Sequence, residues 1–464
     1  MNHETCVLPL TAAPRAPWLS RLGEAMARRR RWILGIQWAV VVFYLVLVTV
    51  PAVMDLPPPD ARLFDDLVLF AQFLFWGIWW PFVILSMFVL GRVWCGVFCP
   101  EGTLSEWASG FGLGRPVPRW MKWGGWPFVA FVLTTVYGQL VSVYEYPKAA
   151  LLVLGGSTVA AMAVGLIYGR GKRVWCRHLC PVSGVFALLA RLAPVHFQVD
   201  RATWDRAPQV LHTPVDCAPL IDIRRMTGTS ECHMCGRCAG HRGAVTLAAR
   251  LPGREVLDST QQTRPWEARL LVFGMLGVAF GAFQWSASPW FVALKQRAAG
   301  WLVDRDSFFL LQDDAPWWLL THYPQANDTF SWLDGLLLLG YIGAQALLVG
   351  GWIWGMLHLA GRLLPGSAQD HALRLSHALI PLAGISVFVG LSLLTTGQLQ
   401  GEGIMLDWAA YARMGLLTAG LGWSLWLARG MAQKHGVRGG WITVFLVAAM
   451  VPVPVLWAVQ FWVW

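Results

Sequence analysis

Nine stretches of this chain carry about 20 predominantly apolar residues each, the length a helix needs to cross a bilayer. They fall near 33–53, 68–91, 125–145, 149–168, 269–288, 334–357, 375–396, 409–428 and 441–463. Hydrocarbon offers no water to satisfy peptide groups, so apolar runs of this length are helices. With 56% hydrophobic and only 13% charged residues in 464, the composition also lies outside that of ordinary soluble proteins. The expectation is an all-α polytopic membrane protein with nine transmembrane helices.

The loops orient those helices. Arg28 to Arg31 precede the first, while the loop from Asp55 to Asp66 holds Arg62 beside four aspartates. The segments 92–122 and 169–267 are again rich in Arg and Lys. The positive-inside rule then predicts a cytoplasmic N-terminus and a periplasmic C-terminus in an inner membrane. The net charge of +10 is accounted for by this bias, and nothing favours a nucleic acid as partner. The basic segment runs into a full-length apolar helix without a small-residue cleavage site, so no cleavable signal peptide is expected.

Of nine cysteines, eight fall in the segments expected to face the cytoplasm near the membrane, and Cys6 stands alone in the N-terminal tail. A reducing compartment disfavours disulfides, so grouped thiols there point to metal or redox chemistry. Cys232, Cys235 and Cys238 form a CxxCxxC run, which presents three thiolates on one tight loop, as a cubane iron–sulfur cluster needs. The place where ferredoxins put a fourth cysteine holds Arg242. A zinc knuckle drawing on Cys217 or His241 is the alternative. His233 and His241 read as solvated loop residues.

The other four cysteines belong to a repeat. Arg92-Val-Trp-Cys95-Gly-Val-Phe-Cys99-Pro100 follows the second span, and Arg173-Val-Trp-Cys176-Arg-His-Leu-Cys180-Pro181 follows the fourth. Equal topology puts four thiolates at one depth on the cytoplasmic rim, and helical positions i and i+4 share a face. These residues admit a shared four-thiolate cluster, a redox-active dithiol pair or a zinc staple.

With these motifs in view, the chain resembles the membrane-bound polyferredoxins of the NapH/NosR type, a group that includes assembly factors of cbb-type oxidases. The likeness covers about 90–245. Relatives usually carry two complete CxxCxxCxxxCP motifs, and here Cys217-Ala-Pro219, followed by Ile-Asp-Ile-Arg, looks like the tail of a first one. In two-cluster ferredoxins the fourth cysteine of each motif serves the other cluster. The resemblance thus implies that Cys217 completes a [4Fe-4S] site with Cys232, Cys235 and Cys238. Basic neighbours Arg224, Arg225, Arg237 and Arg242 are expected to balance its charge or steer an acidic partner.

Three regions follow: a four-helix membrane region, 1–200; a cytoplasmic ferredoxin-like insert, 201–265; and a five-helix membrane region, 266–464, with a periplasmic segment at 289–331. That segment is acidic and aromatic, suiting either the outer interface or a docking surface through His322 and the aspartates. His358 and His377 close and open adjacent spans, a placement compatible with axial haem ligation or a quinone pocket. Gln345 and Arg413 are polar groups at costly depths.

The expected function is one-electron transfer at the inner membrane, between a cytoplasmic or quinol donor and a periplasmic or membrane redox partner, such as a reductase or a metal-handling protein. One alternative is an electron-accepting or metal-reducing component of iron or copper uptake or assembly. Another is a transporter or assembly scaffold with a structural metal site.

Overall fold

The computed structural model describes residues 17–58, 60–207, 215, 217–258, 264–435 and 440–464; Cys6 lies outside them. An amphipathic helix α1 (Pro17–Arg28) leads into α2 (Arg30–Val53), α3 (Leu67–Leu90), α4 (Pro100–Gly110), α5 (Trp126–Leu140) and α6 (Pro147–Tyr168). A short apolar helix, α7 (Ser183–Leu192), precedes a two-stranded ribbon of β1 (Val195–Val199) and β2 (Val245–Ala249). The second half contains α8 (Pro265–Ala287), α9 (Pro289–Val303), α10 (Trp332–Arg362), α11 (Ala368–Gly401), α12 (Trp408–Gln433) and α13 (Trp441–Trp462).

Seven of these helices, not nine, are long and apolar enough to cross a membrane: α2, α3, α6, α8, α10, α11 and α13. The stretch expected at 125–145 is the 15-residue α5. At 1.5 Å per residue it reaches about 22 Å, short of a core of about 30 Å. It stops at a turn whose Ser142 takes φ 49°, so the rest of the apolar run never joins the helix. The stretch expected at 409–428 becomes the 26-residue α12, long enough but diluted by Arg413, Arg429 and four glycines.

The two halves share one apolar core, in which Met87 of α3 and Leu189 of α7 meet Leu276 of α8 and Ile380 of α11. The polar groups at depth are satisfied locally. Gln345 donates to Gln284 at 3.2 Å, and Arg413 binds the Ser392 hydroxyl at 2.9 Å and the Thr396 hydroxyl at 2.6 Å. The segment 289–331 lies at the end of the bundle opposite the cysteines. There Ser142 and Thr321 share a 2.7 Å hydrogen bond, and the Tyr146 hydroxyl donates to Asp328 at 2.8 Å. Asp313 accepts from the Thr329 hydroxyl and Asp314 from the Trp332 indole.

What brings the two Cys-xxx-Cys-Pro motifs together is the seam between α4 and α6. A Cβ on Gly165 would fall 2.6 Å from the Ser105 carbonyl oxygen, and one on Gly169 would fall 2.4 Å from Ser109 Cβ. Small residues let helices approach this closely. Gly165→Leu is expected to destabilise the bundle by about 1–3 kcal/mol through overpacking. A thermal melt in detergent checks this, and an unchanged melting temperature would mean the seam is not close-packed.

Candidate iron–sulfur sites

The two repeats fold alike. In each, the amide of the second cysteine reaches back five residues to a tryptophan carbonyl: Cys99 to Trp94 at 2.8 Å, and Cys180 to Trp175 at 3.0 Å. Such wide turns are rare and occur mostly at functional sites. Pro100 then starts α4 at its first position, where a missing N–H costs nothing. Cys99 caps that helix, its sulfur accepting the Gly102 amide at 3.3 Å.

The four rim cysteines converge. Cys99 Sγ and Cys176 Sγ lie 3.5 and 3.6 Å from the point that a Gly102 Cβ would occupy. Cys180 lies within electrostatic reach of Cys176, Cys99, Cys95 and Glu101. Burial and the neighbouring thiols push Cys99 and Cys180 well above the usual thiol range. Burial likewise lifts Cys176 to about 12, against the pull of Arg173. As free thiols these groups stay protonated, unlike the low-pKa cysteines of dithiol exchange. A bound metal deprotonates such thiols outright.

The second set is built on the β ribbon. Val195 pairs with Ala249 and Val199 with Val245, closing the base of a segment that begins before residue 201. Cys232 is packed with Leu19, Phe197, Val245 and Leu247, so α1 covers this site from outside. Left-handed backbone at Met234 (φ 53°) and Gly236 (φ 74°) turns the CxxCxxC run back on itself. Cys217, Cys232, Cys235 and Cys238 all line one small cavity, with Phe197, Ile221 and Ile223 among its apolar walls. Burial raises Cys217 and Cys232, and lifts Cys238 to about 12. Ala218, the residue that separates Cys217 from its proline, has a use: its carbonyl accepts the Arg173 amide at 2.8 Å.

His241 is not among the residues lining that cavity; its ring packs on Trp204, centroids 5.0 Å apart. His233 is not a solvated loop residue. It is 3% exposed, because the loop folds against the first rim motif. Burial, followed by the charges of Arg92, Arg173, Arg177 and Arg237, holds its ring well below the usual histidine range. Among the described residues no three His, Cys, Asp or Glu side chains close tightly enough for a single metal ion. A tetrahedral zinc site demands that tightness, with Zn–S of about 2.3 Å.

Reading by sequence missed the arginines of the repeat, although both sit three residues before the first cysteine. Arg92 and Arg173 are 4% and 2% exposed. Arg92 donates to the Ser230 carbonyl at 2.7 Å and to the Ser183 hydroxyl at 2.9 Å, and that hydroxyl donates to the Cys176 carbonyl. Arg173 donates to the Cys95 carbonyl and to Glu106 at 2.7 Å. Each repeat thus braces the other. Of the four basic residues expected near the loop, Arg237 turns inward, onto Glu106. Arg224 pairs with Asp205 in solvent, Arg225 with Asp222, and Arg242 lies over the Trp204 ring.

A second cleft of about 160 Å³ opens beside Cys235 and Gly96, lined also by Met26, Arg30, Ile33, Leu34, Gln37 and Arg237. The haem expectation meets a different arrangement. The His377 ring nitrogens face the Leu373 carbonyl at 3.1 Å and Glu267 at 3.3 Å.

Comparison with known proteins places these observations. A family model described as "4Fe-4S binding domain" matches residues 72–118 and 153–199, one match over each rim motif. A stretch of 229 residues is 24% identical to the "Putative electron transport protein YccM" of Escherichia coli (strain K12), covering 43% of this chain and 62% of that protein. No solved structure matches. The chain thus carries two matches to a 4Fe-4S binding domain, among helices of membrane-crossing length.

Proposed function

We propose that this protein carries single electrons at a bacterial inner membrane through two cysteine-ligated centres on the cytoplasmic side. Cys217, Cys232, Cys235 and Cys238 hold one [4Fe-4S] cluster, and Cys95, Cys99, Cys176 and Cys180 hold a second. The observation that carries this reading is the sorting of eight cysteines into two groups of four, one around a single cavity and one at the rim, where Cys99 and Cys176 flank Gly102 and Cys180 is within electrostatic reach of the other three. Bound cubanes supply reversible one-electron chemistry at potentials set by thiolate ligation, hydrogen bonds and burial.

The chain's own residues set those conditions. Backbone N–H groups of Gly102 and Met234 point at Cys99 and Cys232 sulfurs, at 3.3 and 3.4 Å, and favour a more negative centre. Arg173 lies within electrostatic range of both Cys176 and Cys235 and offsets their charge. The apolar ribbon core and α1 exclude water from Cys232. The cleft at Gly96 and Cys235 joins apolar walls to Arg30, Arg237 and Gln37, which suits a quinol or a small cytoplasmic donor. The acceptor is a membrane or periplasmic redox partner. The acidic, aromatic segment 289–331 favours one that handles iron or copper, in uptake or in assembly.

The deciding experiment is anaerobic reconstitution of the purified chain with iron and sulfide. About eight irons per chain, with cubane EPR signals after dithionite reduction, is the expected result. Protein that takes up zinc and no iron would leave the transporter or scaffold reading in its place.

A further inference from the structure

The two cysteine sets meet through bare backbone. Gly96 lies inside the first rim motif, and a Cβ there would fall 2.0 Å from the His233 carbonyl oxygen and 2.8 Å from the Cys235 amide nitrogen. No side chain separates the two ligand-bearing turns. Polar links then hold them in place. The Gln37 amide donates to the Gly96 carbonyl at 2.8 Å. Glu106 pairs through one oxygen with Arg173, of the second rim motif, and through the other with Arg237, of the CxxCxxC loop. All three side chains are largely buried, at 18%, 2% and 12% exposure. Arg173 also donates to the Cys95 carbonyl.

We infer that Gly96 and Glu106 are positioning residues that couple the two sites into one electron-passing pair. Gly96 permits the turns to touch. Glu106 fixes their separation and balances the charges of Arg237 and of Arg173, the latter within reach of both sites. An electron arriving at either site changes the field that Arg173 experiences, so filling one site makes filling the other harder. This inference rests on the reading that both cysteine sets hold clusters.

Two substitutions test it by different readouts. Glu106→Gln keeps the shape and removes one negative charge from between the sites, so both midpoint potentials are expected to move positive. Gly96→Ala forces the turns apart, so the spin–spin splitting expected in the EPR spectrum of fully reduced wild-type protein should collapse to two isolated signals. Gly110→Ala, where a Cβ meets nothing within 4 Å, is the control and should change neither. Iron and acid-labile sulfide are counted first on every sample. Fewer than about eight irons in the wild type overturns the two-cluster reading, and the coupling with it. Eight irons without splitting in the wild type overturns the coupling alone. So does Glu106→Gln with full iron and unmoved potentials, a result that also covers the case in which Gly96→Ala does not fold.

Discussion

Cys232→Ala is expected to lower the iron content of reconstituted protein from about eight to about four per chain, removing one of two reduced EPR signals. The cysteine is 9% exposed and is walled by Leu19, Phe197, Val245 and Leu247, none of which offers a replacement ligand. Cys176→Ala should remove the other four irons and the other signal, because its thiol belongs to the rim set. The two losses should be separable, and the double variant should hold almost no iron. If either single variant kept all its iron, the grouping of cysteines in fours would be wrong. If either lost all of it, the two sites could not fill independently.

Arg173→Ala should be the most destabilising single substitution outside the cysteines. The guanidinium is 2% exposed, pairs with Glu106 and satisfies the Cys95 carbonyl. Its removal leaves a largely buried carboxylate with one partner in place of two, and a buried carbonyl with none. Breaking a buried ion pair from one side costs about 3–5 kcal/mol. Much of that should appear as a lower melting temperature, even before iron is added. Arg224→Ala is the matched comparison, since it removes a bidentate pair with Asp205 that stands in solvent. Exposed pairs contribute little. Equal melting temperatures for the two variants would refute the bracing role of Arg173.

These residues also show where the sequence could and could not be read. Hydropathy found all seven described helices that are long and apolar enough to cross, because burial in hydrocarbon requires a long apolar run. It overcounted at α5, where a turn at Ser142 divides an unbroken apolar stretch. It overcounted again at α12, where length and apolarity part company. The repeat was legible because the two motifs share Arg-Val-Trp-Cys and Cys-Pro at the same spacing, arginine included. The function of that arginine was not, since its partners are 78 and 67 positions distant. His233 was taken as solvated for the same reason: nothing in its neighbourhood along the chain announces Gly96. The N-terminal segment carried a topological signal in its arginines, and this concealed the apolar stripe of α1 that closes over Cys232.

The mutual bracing of the two repeats has a consequence for how the protein is made. Arg92 waits for Ser230, 138 residues later, and the Cys95 carbonyl waits for Arg173. Such distant pairings form late, because loop closure must precede any gain from the contact. During synthesis, α2 and α3 enter the membrane long before their ligand-bearing turns acquire a second wall. Metal loading therefore belongs to a time after residue 238 has left the ribosome, and after the ribbon has closed at Val245. A chain stalled between residues 180 and 238 would offer the maturation machinery four to seven of the eight grouped thiols without either finished site.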